Sequence, residues 1–286
     1  MRGAVLSPSP GISKQLATTL CAMQPRVPKA IVYDIDGTII TSDARLHPRT
    51  LTALASARAA GITLVAATGR PFPVVGEPGD HADWIIGGNG TGVLERASGI
   101  VHHEATFPIE TAFDVVSTVR ALVPEVIFSI VSDVDAVWEP GFETITPPGA
   151  QPGRPVLDVL DCAGATVGKL VALHLDHSVS ALAAQLAPHM PAGLVALSLG
   201  FGAVEIGRIG VDKSTALRWL ADHLGLERGE VWAFGDNIND REMLAWAGRG
   251  IAMGNADDDT KAVADHVTAT NDDHGVALVI EELLAG

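Results

Sequence analysis

Residues 30–38 read Ala30-Ile31-Val32-Tyr33-Asp34-Ile35-Asp36-Gly37-Thr38, four β-prone apolar side chains that run straight into two carboxylates and a glycine. Such a run suits a buried strand that delivers an acidic loop. Downstream, 48–60 reads as a helix with Leu51, Leu54 and Ala55 on one stripe and Gly61 as its stop, followed by a strand over 62–67. Strand, helix, strand in this order is a βαβ unit, which implies parallel strands and a right-handed crossover. A third short strand at 84–86 leads into the glycine-rich turn Gly87-Gly88-Asn89-Gly90-Thr91-Gly92.

The middle of the chain has a different texture. The pattern predicts a helix over 110–122, a strand over 126–131, a proline- and glycine-rich loop over 140–155, then strand (167–175), helix (178–186) and strand (194–199). From about Val211 the doubly wound pattern returns, with a helix over 213–224, a strand over 231–234, a helix from Asp240, a strand over 250–253 and a last helix over 276–284. The expected fold class is α/β, a doubly wound parallel-sheet (Rossmann-like) core with an inserted α+β cap domain. The expected division is a loose N-terminal extension over 1–27, a core over 28–92 and 201–286, and a cap over 93–200, the last being roughly 100 residues and within normal domain size. There is no internal repeat or low-complexity tract.

Bulk properties narrow the function. With 47% hydrophobic residues the chain can pack an interior of domain size, and a net charge of −15 repels nucleic acid and anionic membrane surfaces at long range. A bound divalent cation and one well-placed lysine can invert the sign locally, so an anionic substrate stays open. Two cysteines, Cys21 and Cys162, are too few for a disulfide framework and fit a reducing, cytoplasmic location. No apolar run approaches the roughly 18 residues of a membrane helix.

Polar residues just past apolar strands matter most, because open parallel sheets bind ligands at the carboxyl ends of their strands. Asp34 and Asp36 are close enough to repel unless one holds a proton or a cation sits between them, the arrangement of a metal site or an acid/base pair. Gly235-Asp236-Asn237-Ile238-Asn239-Asp240 puts two carboxylates four apart on a strand-to-helix turn. Asn239 or Asp240 can cap the helix there while Asp236, nearest the strand, offers oxygen to a hard cation, and all-oxygen ligation favours magnesium. Lysine is scarce (Lys14, Lys29, Lys169, Lys213, Lys261), and Lys213 opens a helix, where a cation is disfavoured unless an anion lies nearby. Thr68-Gly69-Arg70 after the second strand offers a hydroxyl and backbone N–H groups, a small anion cradle. Other polar groups read as solvated or capping: His102-His103-Glu104 as a strand end, Asp257-Asp258-Asp259 as an acidic first helix turn, His174, Asp176 and His177 as strand-end polarity. Lys169 is the cap residue to watch.

In order and spacing, these segments resemble the haloacid dehalogenase superfamily, in particular its Cof-type phosphatases with the large class IIB cap. The resemblance spans nearly all of 29–286 and extends to Asn89-Gly90-Thr91, Val204-Glu205-Ile206, Val211-Asp212-Lys213-Ser214, the stretch 250–256 and Asn271-Asp272-Asp273-His274-Gly275-Val276. It implies a phosphatase in which Asp34 is the nucleophile, Asp36 the general acid and then base, and Thr68, Gly69, Lys213 and Asn239 bind the phosphoryl group. It also implies magnesium held by the Asp34 carboxylate, the Asp36 carbonyl and Asp236, with Asp240 supporting. The expected substrate is a small phosphorylated metabolite such as a sugar phosphate. A phosphomutase of the same fold and a non-catalytic metabolite-binding protein are the alternatives. The chain departs from the family pattern between Arg70 and Asn89, where it is shorter, and at Gly87-Gly88, which replace bulkier residues and reshape the pocket wall.

Overall fold

The computed structural model describes residues 27–132, 135–145, 153–198 and 202–286. The expected N-terminal extension therefore lies, but for Val27, outside the described residues, as do Cys21 and parts of the loop expected over 140–155.

Ala30–Tyr33 (β1) is buried along its whole length. It can be apolar throughout because both sheet faces are covered. The chain continues through α1 (Pro48–Ala59), β2 (Thr63–Ala67), a short turn α2 (Glu77–Asp80), β3 (Trp84–Gly87), β4 (Gly92–Glu95) and β5 (Val101–Glu104). After the cap come α5 (Lys213–Leu224, numbered after the four preceding helices), β13 (Val231–Gly235), α6 (Arg241–Trp246), β14 (Arg249–Ala252), α7 (Asp258–Val263), β15 (His266–Val267) and α8 (Gly275–Ala285). Together they form one eight-stranded sheet in the order β15-β14-β13-β1-β2-β3-β4-β5, parallel from β15 to β3 and antiparallel beyond.

Register fixes what emerges where. Tyr33 lies opposite both Phe234 and Ala66, so β1, β13 and β2 run out at the same level. Asp34, Asp236 and Thr68 therefore leave the sheet at one edge, within a residue or two of one another along three adjacent strands. One face is packed by α1 and α8 over Ile31, Tyr33, Leu64 and Phe234, the other by α5 and α6 over Val32, Val65 and Ala233.

The cap comprises β6 (Phe107–Pro108), α3 (Ile109–Leu122), β7 (Ile127–Ser132), β8 (Ala136–Trp138), β9 (Arg154–Pro155), β10 (Thr166–Leu173), α4 (Val179–Leu186), β11 (Leu194–Ser198) and β12 (Val204–Arg208). Its sheet runs β11-β12-β10-β7-β8-β9, with β6 beside β10. Leu170, Ala172, Val204 and Ile206 pack with Val116, Val119 and Leu182 of the two helices. By strand alternation Lys169 and Glu205 lie on the opposite face.

Sheet membership moves both expected domain cuts. β4 and β5 extend the core sheet, so the first crossing falls after Glu104 instead of at 92/93. β12 completes the cap sheet, so the second falls after Arg208 instead of at 200/201. The physical reason for the first is that Val101-His102-His103-Glu104 is a mostly exposed edge strand with no apolar run to announce it. The expected Asp240 or Asn239 cap is also corrected. Asn237 accepts from the Ile238 N–H at 2.7 Å, and Asp240 turns back onto the N–H groups of Asp236 and Asn237, both at 3.0 Å.

Candidate active site

Four segments distant in sequence meet at the carboxyl end of β1. Asp34 is buried, and Lys213, fully buried at the first position of α5, donates to its Oδ1 at 2.5 Å and to Asp240 Oδ1 at 2.6 Å. The helix that carries Lys213 is locally well specified: Asp212 accepts from the Thr215 N–H at 2.8 Å, the Thr215 hydroxyl accepts from the Asp212 N–H, and Gly225 stops the helix in the left-handed region. A capping box thus places a cation where the helix dipole disfavours one, and the two carboxylates compensate.

Asp236 completes the cluster. Oxygens of Asp34, Asp236 and Asp240 all lie within 4.8 Å of one another. Thr38 from the first loop donates to Asp236 Oδ1 at 2.9 Å, which ties β1 to β13. Gly37 permits this approach: its φ is +82°, and a Cβ there would meet Asp236 Oδ2 at 2.3 Å. Gly90 (φ +100°) lets the Asn89 turn press against the start of α5, where a Cβ would lie 2.1 Å from the Asp212 carbonyl oxygen.

The electrostatics follow from burial. Desolvation pushes the Asp34 carboxyl well above the usual range, opposed by Lys213 and reinforced by Asp240 and Asp236. Asp236 is pushed up to about 7, first by burial and then by the Asp240 charge, against the Thr38 hydrogen bond. Burial alone would lower Lys213, but Asp240 and Asp34 more than offset it and hold the ammonium above its ordinary value. Fully ionised, three carboxylates and one ammonium leave two negative charges in a buried space. A donor set of hard oxygens with that deficit fits a divalent cation such as those that carboxylates hold. Asp34, Asp236 and Asp240 are the side chains able to supply oxygens.

The structure does not bring every expected side chain into this cluster. The Asp36 carboxylate is half exposed and held by both arms of Arg70, Nε to Oδ2 at 2.8 Å and Nη2 to Oδ1 at 2.5 Å. Thr68 is fully buried, and its hydroxyl accepts from the Arg70 N–H at 3.1 Å, closing its own turn. The Gly69 carbonyl accepts from Lys169 of the cap at 2.7 Å. Asn239 donates to Asn89 Oδ1 at 2.9 Å, and Asn89 in turn donates to Glu205 Oε2 at 3.0 Å. Asn89 and Glu205 thus join the loop of Asp236 and Asp240 to the cap, while Arg70 holds Asp36 within the core, yet sequence reading assigned these three no role. Their only signal was membership of the quoted motif segments. His102 and His103 lie on a mostly exposed strand, as expected, and there also pack in an aromatic group with Trp84, Trp219 and His223. His174 and His177 stack on each other. Asp257 accepts from the Thr260 N–H as the cap of α7, as an acidic first turn predicts.

A carboxylate-rich mouth at the strand ends of a doubly wound sheet, beneath an inserted cap, defines a hydrolase of the haloacid dehalogenase type. The family model for haloacid dehalogenase-like hydrolases matches residues 31–280, and the chain belongs to that family, in its Cof-type branch. A phosphatase of Bacillus subtilis, YwpJ, is 31% identical over 299 residues, covering 90% of this chain and all of that one. The HMP-PP phosphatase of Klebsiella pneumoniae is 29% identical over 259 residues, 85% of this chain and 90% of its own. Among solved structures, a subclass IIB sugar phosphatase has the same fold, with a TM-score of 0.77 at 23% identity over 89% of this chain and 98% of that one. The chain is accordingly a phosphoric monoester hydrolase. No helix among the described residues is long and apolar enough to cross a membrane.

Proposed function

We propose that this chain is a magnesium-dependent phosphatase that hydrolyses a small phosphorylated metabolite through a phosphoaspartate on Asp34. The observation that carries the reading is the convergence of Asp34, Asp236 and Asp240, oxygens within 4.8 Å, around the buried ammonium of Lys213.

In this reading Asp34 attacks phosphorus in line with the ester oxygen; the new O–P bond forms as the bond to the leaving group breaks. Asp36 gives its proton to the departing oxygen, then takes one from the water that attacks the phosphoaspartate and releases inorganic phosphate. Both Asp36 oxygens are held by Arg70 in the state described, so this role requires that ion pair to part. Lys213 orients Asp34 and offsets charge on the phosphoryl oxygens, joined by Thr68, Gly69 and Asn239 at the strand ends. Magnesium, held by Asp34 and Asp236 with the Asp36 carbonyl and supported by Asp240, would neutralise charge between nucleophile and phosphate. A small phosphorylated substrate, such as a sugar phosphate, is supported by the relatives, which include an HMP-PP phosphatase and a sugar phosphatase.

Asp34→Asn is expected to abolish turnover of p-nitrophenyl phosphate, measured as p-nitrophenol and inorganic phosphate released with magnesium present. A near-normal rate in that variant would refute the nucleophile assignment. Phosphate transferred to a second position of a sugar phosphate, without free phosphate, would point to a mutase.

A further inference from the structure

The stretches 250–256 and 271–276 stand out in the sequence, yet they supply no side chain to the carboxylate cluster. They meet each other beside the acidic loop that follows β1. The Gly254 N–H donates to the Ala269 carbonyl at 3.0 Å, and a Cβ on Gly254 would lie 2.9 Å from the Thr270 nitrogen, so the turn after β14 closes on this segment only with glycine there. That contact sets Asn255 against Asn271, whose N–H donates to Asn255 Oδ1 at 3.0 Å.

From there both side-chain amides reach the acidic loop. Asn255 Nδ2 donates to the Gly37 carbonyl at 2.8 Å, and Nδ2 of the buried Asn271 donates to the Ile40 carbonyl at 2.9 Å. The Asn255 amide has only one workable orientation, because the Gly37 carbonyl only accepts and the Asn271 N–H only donates. The loop closes loosely by itself. The N–H groups of Thr38, Ile39 and Ile40 all converge on the Ile35 carbonyl, at 3.4, 3.2 and 3.1 Å. A well-formed bond of this kind measures about 2.9–3.0 Å. Yet the loop carries the Asp36 carbonyl, the Gly37 that admits Asp236, and the Thr38 hydroxyl that donates to Asp236 Oδ1 at 2.9 Å. The carbonyl that Asn255 holds belongs to the peptide joining Gly37 to Thr38, so the bond fixes the backbone where a glycine leaves it freest.

We infer that Asn255 and Asn271 are positioning residues for the divalent cation: together they clamp the acidic loop so that the Asp36 carbonyl and the Thr38–Asp236 bond stay in place. The inference rests on the magnesium reading above and adds to it two side chains that act through the loop. Asn255 is exposed, so water can take over its bonds when the side chain is removed and the fold survives. Water does not hold a peptide in one orientation, and cation binding is where the loss is felt.

The test is the dissociation constant for magnesium alone, from calorimetric titration of the full-length protein as wild type, Asn255→Ala and Ser42→Ala. Ser42 is the control, since its hydroxyl donates to Asp272 Oδ2 at 2.8 Å and so ties the same two segments further along the chain. Groups that orient metal ligands typically contribute about 10–100-fold to metal affinity, so Asn255→Ala should raise Kd by about tenfold or more while Ser42→Ala stays within about twofold. The metal-free unfolding midpoints of both variants should lie near that of the wild type. An unchanged Kd in Asn255→Ala overturns the clamp and leaves the magnesium reading standing, and a lowered metal-free midpoint beside that unchanged Kd marks a merely structural tie. Equal weakening in Ser42→Ala also overturns it, because any fastening of the loop would then serve. A wild type that binds no magnesium overturns the magnesium reading and the clamp with it.

Discussion

Two of the described lysines are buried, one in each half of the molecule, and their surroundings differ in a way that separates the work of the halves. Lys213 of the core stands between two carboxylates with a third close by. Lys169 of the cap has one carboxylate and one carbonyl. The core corner is short of positive charge and suits a cation and a phosphoryl group. In the cap corner a single carboxylate balances a single ammonium. Neither ion pair is good evidence of stability in itself, because desolvating a pair can cost as much as the attraction returns, but removing one partner strands the other at high cost.

The sharpest way to break this comparison is Lys213→Met. It strands the Asp34 and Asp240 charges in a fully buried site and should cost about 3–5 kcal/mol of unfolding free energy, read by urea titration without divalent cation. Added magnesium should recover part of that loss, since the cation supplies the missing charge. Next in size is the effect of the metal on the unmodified protein. Binding to the folded state alone adds about 2.7 kcal/mol at 100 times Kd, seen as a rise in the unfolding midpoint. Asp236→Asn should remove most of that rise and Glu205→Gln should leave it, if the cation belongs to the core corner only.

Gly37→Ala probes the close approach that assembles the core corner. A methyl group there meets Asp236 in a left-handed backbone, so a cost of about 1–3 kcal/mol is expected, with a loss of metal-induced stabilisation, measured in the same titrations. The smallest expected effect is that of Arg70→Gln. The Asp36 to Arg70 pair is partly exposed, and exposed pairs contribute about 0.2–1 kcal/mol, so stability should scarcely move even if turnover does. A change above about 2 kcal/mol would mean that this pair holds the loop together structurally.

The motifs that build the core corner were readable because strand ends in a parallel sheet bring residues together whatever lies between them in sequence. Asp34 after 30–33, Asp236 after 231–235 and Lys213 at a helix start each had a local signal. The cap corner had weaker ones. Lys169 sits mid-strand in an apolar run, and Glu205 lies in a five-residue strand, Val204–Arg208, that sequence reading placed in the core. The edge strand Val101–Glu104 carries no apolar run, so the first domain cut was misplaced there.

The alternation of strand and helix, the glycine-punctuated turns and the acidic loops together determined an α/β core, an inserted cap and the chemistry of the mouth. Those features depend on local propensity and on the rule that parallel strands present their ends together. Tertiary structure alone decided that Asp240 and not Asp36 shares Lys213 with Asp34, that Arg70 holds Asp36, and that Lys169 and Glu205 meet Gly69 and Asn89. These are choices between side chains of the same kind at similar spacing, and only the packing of helix on sheet and of cap on core determines which of them come within hydrogen-bonding distance.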